Sequence, residues 1–246
     1  MTGFWSGWGW PLATALLGLV YTALVFRQWL ARRKPHQLAW SVGLLIYAVA
    51  AAMEFWSEFS QHWDPTVYRL YLVLAASMVG FLGLGTLYLM AKNRRWGDVY
   101  LAINIVLIAV FLWGTFTHPV DVEMLKPGIT VGGKAMGATM GFPRVMSFTF
   151  NIPGTLLLLG GAIVSAWRFS AKNEYKYRMW GNVLIAVGTL IIAGAGSMAR
   201  AGSTVGLYPA EMVASAILLW GFLVAGTLEK GAKAVKQRVA KGQPSS

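Results

Sequence analysis

Seven runs of about 20 apolar residues dominate this chain, and each can cross a hydrocarbon layer roughly 30 Å thick as a helix. They lie at Pro11–Leu30, Leu38–Ser57, Val67–Met90, Trp96–Thr117, Met146–Trp167, Met179–Ala199 and Tyr208–Leu228. Buried helices of a water-soluble bundle would carry polar outer faces at the helical period, and these runs do not. A membrane barrel would need short strands of alternating polarity, which are also missing. With 57% hydrophobic and 12% charged residues, the chain has too little charge to cover a water-facing surface, so its apolar excess must face lipid. The expectation is an all-α, polytopic, seven-transmembrane-helix bundle, one domain over 1–246 with a basic tail at 229–246. The first run follows a segment without Lys or Arg and runs on without a small-residue cleavage site, so it reads as a retained helix rather than a signal peptide.

The formal charge of +12 raises nucleic acid as a partner, but the placement of the charge argues against it. Sixteen Lys and Arg fall in alternate connections and the tail, among them Arg32, Arg33, Lys34, Lys92, Arg94, Arg95, Arg168, Lys172, Lys230 and Lys233. The opposite side holds five: Arg69, Lys126, Lys134, Arg144 and Arg200. Because cationic segments resist transfer across the membrane, the rich side is expected in the cytoplasm, with the N-terminus outside and the C-terminus inside. Glu54, Glu58, Asp64, Asp121, Glu123 and Glu211 gather on the cation-poor side. Trp29, Trp40, Trp63, Trp96, Trp167 and Trp180 near run ends fit an aromatic belt. The implied partners are the lipid bilayer, anionic lipid at the basic face and, for a subunit role, another membrane protein. The location implied is a cell membrane.

Cofactor chemistry finds little footing. There are no cysteines, which removes disulfides, thiolate catalysis and Cys-ligated metals. His36, His62 and His118 sit at run ends or in connections, where no pair can clamp a haem within the membrane. The last run contains no lysine for a retinal Schiff base. Gly132-Gly133-Lys134-Ala135 lacks the ending of a phosphate-binding loop. Met136, Met140 and Met146 near His118 are a weak soft-metal set. The reading is a non-enzymatic protein with no cofactor and no metal.

Ionisable groups at membrane level are costly and so mark candidate sites. Glu54 lies about one turn inside the second helix, with Glu58 on the same face. Arg69 opens the third helix, Arg144 precedes the fifth, Arg200 closes the sixth, and Glu211 sits in the first turn of the seventh. These could form an outward-facing polar ligand site, or a set of interhelical ion pairs with Glu211 favoured by the helix dipole. Asn151-Ile152-Pro153-Gly154-Thr155 should kink the fifth helix, since Pro153 frees the Thr149 carbonyl. Asn151 and Thr155 could satisfy freed backbone groups or face a ligand. Asn104 and Asn182 read as interhelical glue, and the long connection 118–145 as a lid, a partner surface or a mobile strap.

Gly80-Phe81-Leu82-Gly83-Leu84-Gly85-Thr86-Leu87 aligns with Gly221-Phe222-Leu223-Val224-Ala225-Gly226-Thr227-Leu228 at six of eight positions. Both triplets of helices would start outside, as in a parallel three-plus-one-plus-three repeat. The alternative is chance, since Gly and Leu recur in such helices.

Glu54 ending the second helix, Tyr68-Arg69-Leu70-Tyr71, Asn151 to Thr155, Met198-Ala199-Arg200-Ala201-Gly202 and Tyr208 to Met212 resemble a family of uncharacterised bacterial seven-transmembrane-helix proteins. More distantly, helices one to three are similar in layout to the N-terminal seven-helix sensor region of some histidine kinases. The resemblance implies no established activity. Two functions stay open. The first is sensing or ligand binding from the outer side, or a partner-subunit role, using Glu54, Arg69, Arg144, Arg200 and Glu211. The second is small-solute transport with a site at Asn151 and Thr155. The absence of native cysteine makes the orientation directly testable. Glu123→Cys should react with a membrane-impermeant thiol reagent on intact cells, whereas Asn93→Cys should react only after permeabilisation; the reverse pattern would invert the topology.

Overall fold

The computed structural model describes residues 7–126, 133–137, 141–170, 176–201 and 206–240. Backbone groups have no water to bond in hydrocarbon, so each apolar run satisfies its own N–H and C=O groups as a helix. The helices are α1 (Gly9–Arg32), α2 (Pro35–Ser60), α3 (Pro65–Met90), α4 (Arg95–Thr117), α5 (Phe142–Ser170), α6 (Lys176–Ala201) and α7 (Leu207–Ala240). All seven are long and apolar enough to cross a membrane. The chain is therefore an integral, multi-pass membrane protein.

Most helices overrun the apolar runs by a few residues, because the caps lie in the polar flanks. Pro35 and Pro65 occupy first-turn positions, where a missing N–H costs nothing. Asp64 caps α3 by accepting from the Thr66 and Val67 N–H groups at 2.8 and 3.1 Å. Arg33 ends α1 in the left-handed region with φ 50°, its N–H bonded to the Trp29 carbonyl and its guanidinium 4.6 Å from the Trp29 ring centroid. The largest departure is at the C-terminus. α7 continues to Ala240, so the first twelve residues of the expected basic tail are helical, as their Ala, Lys, Gln and Val content allows.

Six helices close a ring in which α1 packs on α2, α2 on α3, α3 on α5, α5 on α6, α6 on α7 and α7 back on α1. α4 stands outside it, against α3 and α5. Its Val99, Ile103, Val106, Val110 and Trp113 are exposed, as a lipid-facing stripe should be. Trp96, Trp167 and Trp180 are also exposed, in keeping with a belt. Trp63 is not: it is 1% exposed and packs on the rings of Tyr68 and Tyr71. The turn between α2 and α3 folds it inward.

The tightest contact in the ring joins α3 to α5. A Cβ on Gly83 would lie 2.7 Å from the Gly154 Cα, and one on Gly154 would strike the Val79 carbonyl. Small residues let two backbones approach where lipid supplies no hydrophobic drive for association. Pro153 sits inside α5 without ending it: the helix is continuous from Phe142 to Ser170. Pro153 thus leaves the helix unbroken, and Gly154 beside it makes the close approach to α3. Asn104 also differs from expectation. Its amide donates to the Tyr100 carbonyl of its own helix at 2.7 Å, and it meets α3 by seating its carbonyl oxygen against Gly80.

The aligned glycines of the two helix triplets meet different neighbours. Gly80 faces Asn104 of α4 and Phe150 of α5, while Gly221 faces Gly181 and Leu184 of α6. Gly83→Val and Gly154→Val should each destabilise the detergent-solubilised protein by about 1–3 kcal/mol through overpacking. Thermal unfolding against Gly160→Val, where a Cβ meets nothing within 4 Å, tests this; equal losses at all three positions would refute the contact.

Candidate functional site

The ring encloses a cavity of about 160 Å³. On α5 it is lined by Arg144, Ser147, Asn151, Thr155 and Leu158, and on α7 by Leu207, Glu211, Ser215 and Leu218. Steps of three and four residues keep each set on one helical face. Tyr21 of α1, Tyr47 of α2, Tyr71 of α3 and Thr189 of α6 add polar groups, while Ala75, Ala76 and Val79 of α3 make it apolar between them. Phe111 of α4 reaches the wall by stacking on Phe150, with ring centroids 6.4 Å apart.

A second cavity of about 120 Å³ continues toward the basic end, past Thr86 and Gly161 to Met90. The two share Tyr21, Leu44, Leu82, Leu158, Thr189 and Leu218 as lining. In the lower cavity Trp40 and Thr86 both donate to the Leu82 carbonyl, at 3.1 and 3.3 Å, and Thr189 donates to the Ile185 carbonyl at 2.8 Å. These polar groups are bonded to backbone carbonyls. Four leucines mark the boundary.

At the loop end the described parts of the connection between α4 and α5 pack against the bundle. Its described parts include two single 3-10 turns, Val122–Met124 and Lys134–Met136. Leu125, Ala135 and Met136 are buried in one cluster with Tyr68, Tyr71, Met146 and Leu207. The Asp121 N–H donates to the Ala135 carbonyl at 2.7 Å, and the Tyr68 hydroxyl is hydrogen-bonded to the backbone of Gly133 and Ala135. The described residues of 118–145 thus pack onto the loop end of the bundle, and Gly133 lines the cavity. Met136 and Met146 are spent in this apolar packing. His118 is likewise engaged, with Nδ1 2.8 Å from the Gly114 carbonyl and its ring stacked on Phe142. Met140 lies outside the described residues. Among those described, no group of three or more His, Asp or Glu could hold a metal.

Glu54 and Glu211 come together, and of the three arginines expected near them Arg144 shares the cavity wall with Glu211. Tyr71 donates to Glu54 Oε1 at 2.5 Å and Tyr208 to Glu58 Oε1 at 2.9 Å. The Glu54 and Glu211 carboxyl groups are themselves in hydrogen-bonding contact. The Ser215 hydroxyl donates to the Glu211 carbonyl at 2.6 Å, which leaves the Tyr47 hydroxyl as donor to Ser215 Oγ, also at 2.6 Å. Among the described residues the one salt bridge is Arg94 with Asp98, 3.6 Å apart on α4. Among the described residues Glu54 and Glu58 are held by phenol–carboxyl bonds, in which tyrosine supplies a donor without burying a second charge.

The remaining expected residues separate. Arg69 turns toward α4, donating from Nη2 to the His118 carbonyl at 3.0 Å with its guanidinium 5.7 Å from the Phe116 ring centroid, and it does not line the cavity. The Arg200 and Asn182 side chains lie outside the described residues. Arg144, Asn151 and Thr155 do line the cavity. Asn151 donates to the carbonyl and hydroxyl of Ser147 at 2.8 and 2.9 Å, so it does not serve the Thr149 carbonyl freed by Pro153. Its amide oxygen carries no described hydrogen bond. Tyr47, Tyr71, Ser147, Thr189 and Ser215 escaped the sequence reading. The signal that could have found them is polar residues repeating every three or four positions along otherwise apolar helices.

Compared with protein-family models, curated proteins and solved structures, the chain finds no match. Tyr71→Phe should cost about 1–2 kcal/mol by stripping a buried carboxyl of its donor. Tyr21→Phe, whose hydroxyl makes no described bond to a carboxyl, should cost less. Thermal unfolding of both variants decides it; equal losses would count against the Tyr71 to Glu54 bond.

Proposed function

We propose that the chain is a small-solute transporter whose binding chamber is the cavity at the centre of the six-helix ring. The observation that carries this reading is position. The chamber sits between the first and last helix triplets, touches Asn151 and Thr155 beside Pro153, and continues as a second void toward the opposite end of the bundle. Ligand sites of transporters lie near the midplane between such halves. Convergent polar groups in an otherwise apolar cavity are the usual mark of a small-molecule site.

Glu211, Arg144, Ser147, Asn151 and Ser215 would hold the polar part of a solute, and Phe111, Ala75 and Val79 its apolar part. Glu54 would act through Glu211. Leu44, Leu82, Leu158 and Leu218 would bar the path toward the basic end, since an apolar constriction holds back water and polar solutes. Lys and Arg at that end would meet anionic lipid headgroups and stay cytoplasmic.

A ligand-binding sensor is the second reading. The bonds tying α2 to α3 and α7, together with the buried cap of Leu125, Ala135 and Met136, favour a bundle that binds without opening. Proteoliposomes offered a mixture of amino acids, sugars and organic acids, with uptake read by mass spectrometry, separate the two. Transport predicts uptake of at least one class, reduced about tenfold or more by Asn151→Leu or Glu211→Gln and unchanged by the lipid-facing Trp113→Phe. Thermal stabilisation by a solute without uptake would favour the sensor.

A further inference from the structure

The two voids inside the ring lie end to end. The upper measures about 160 Å³ and the lower about 120 Å³, and the residues that line both join them. The lining keeps to one face of each helix. Glu211, Ser215, Leu218 and Phe222 descend α7 in steps of three or four residues, as Asn151, Thr155, Leu158 and Ala162 descend α5. From Glu211 to Phe222 is about 17 Å at 1.5 Å per residue, the reach of an alkyl chain of about twelve carbons. At the far end Leu89 and Met90 line the lower void and are 50% and 38% exposed, so it reaches the outside of the bundle where α3 ends.

The two ends differ in chemistry. Arg144, Asn151 and Glu211 line the upper void and not the lower. The described lining of the lower void contains no Asp, Glu, Lys, Arg or His. Of its polar side chains Trp40, Thr86 and Thr189 are bonded to backbone carbonyls, which leaves Tyr21 and Ser165. A small void with few open polar groups stays dry and takes an apolar guest. Left empty, its lining forfeits dispersion contacts that a chain would restore. Between the voids stand Leu44, Leu82, Leu158 and Leu218. Such a constriction holds back water and polar solutes, but not a hydrocarbon chain.

We propose that the solute is an amphiphile, with a hydrogen-bonding end held among Arg144, Ser147, Asn151 and Glu211 and a single hydrocarbon chain threaded past the leucines into the lower void. That such a molecule is carried rests on the transport reading above; its binding in this orientation does not. A chain gains little by leaving lipid for an equally apolar protein interior. The polar end therefore supplies most of the affinity, and the lower void selects by admitting or refusing the chain. Compact polar solutes would occupy the upper void alone.

Photoreactive probes test this. Alcohol, amide, amine and carboxylic acid probes with chains of about twelve carbons carry a diazirine either at the chain end or beside the polar group. They are irradiated with the purified protein in lipid nanodiscs, and adducts are located by mass spectrometry. For at least one class, chain-end adducts should fall on Thr86, Leu89, Met90, Ala162 or Ser165, which line the lower void. Head-side adducts of the same class should fall on Ser147 or Asn151 of the upper void. Adducts on the exposed Val106 and Trp113 of α4 report the lipid background. Val25→Phe and Ala162→Leu fill the lower void from α1 and α5. Each should cut chain-end adducts there about tenfold and spare those on α4. Chain ends that label only the α4 background, chain ends found in the upper void, or lower-void adducts that both variants leave intact would each refute the proposal. The wild-type map alone can do so, so a variant that fails to fold does not shelter it. Uptake of compact solutes without these adducts keeps the transport reading and removes the amphiphile; adducts without uptake of any solute do the reverse.

Discussion

Hydrocarbon offers no partner to a backbone N–H or C=O, and the rest of this architecture follows from that. Every segment long enough to cross must bond itself as a helix, which leaves side chains alone to decide how the helices meet. Since lipid and protein interior are similarly apolar, leucine and valine gain little by choosing one over the other. The work of association passes to small residues and to polar groups. In this chain it is visible at two levels. Gly83 and Gly154 bring the α3 and α5 backbones together near the middle of the bundle, and the phenol–carboxyl bonds of Tyr71 and Tyr208 tie α2 to its neighbours at the loop end.

These two levels also shape the cavity. Where glycine lets α3 and α5 touch, the ring is tight. Where α5 and α7 turn Asn151, Ser147, Glu211 and Ser215 inward, it stays open. A polar side chain facing lipid is expensive, so it turns into the ring. A ring whose inner faces carry polar groups of different lengths does not pack solid. The chamber is in that sense a product of the same polar residues that would read a solute. Toward the basic end Trp40 and Thr86 bond to the Leu82 carbonyl, and Leu44, Leu82, Leu158 and Leu218 line both cavities.

The acidic residues illustrate a choice the chain makes consistently. A buried arginine opposite Glu54 or Glu211 would have neutralised charge but required desolvating a second ion. The structure uses tyrosine for Glu54 and Glu58, and sets the Glu211 carboxyl against that of Glu54. Arg69, the cation on α3 nearest in sequence to Tyr71, is spent on a backbone carbonyl and an aromatic face between α3 and α4.

Run length alone determined that there are seven helices and roughly where each begins and ends, because the cost of exposing backbone in lipid depends on length and polarity and hardly on neighbours. Charge placement likewise separated a basic end from an acidic one. What sequence could not determine is rotation: in a uniformly apolar helix nothing distinguishes the lipid face from the core face, so Trp63 read as a belt residue although it is buried, and Arg69 as a site residue although it faces α4. The partnership of Glu58 with Tyr208, and of Tyr47 with Ser215, spans more than half the chain. Only the closing of the ring, α7 against α1 and α2, brings such residues together. Local spacing says which residues share a face; tertiary packing alone says what that face meets.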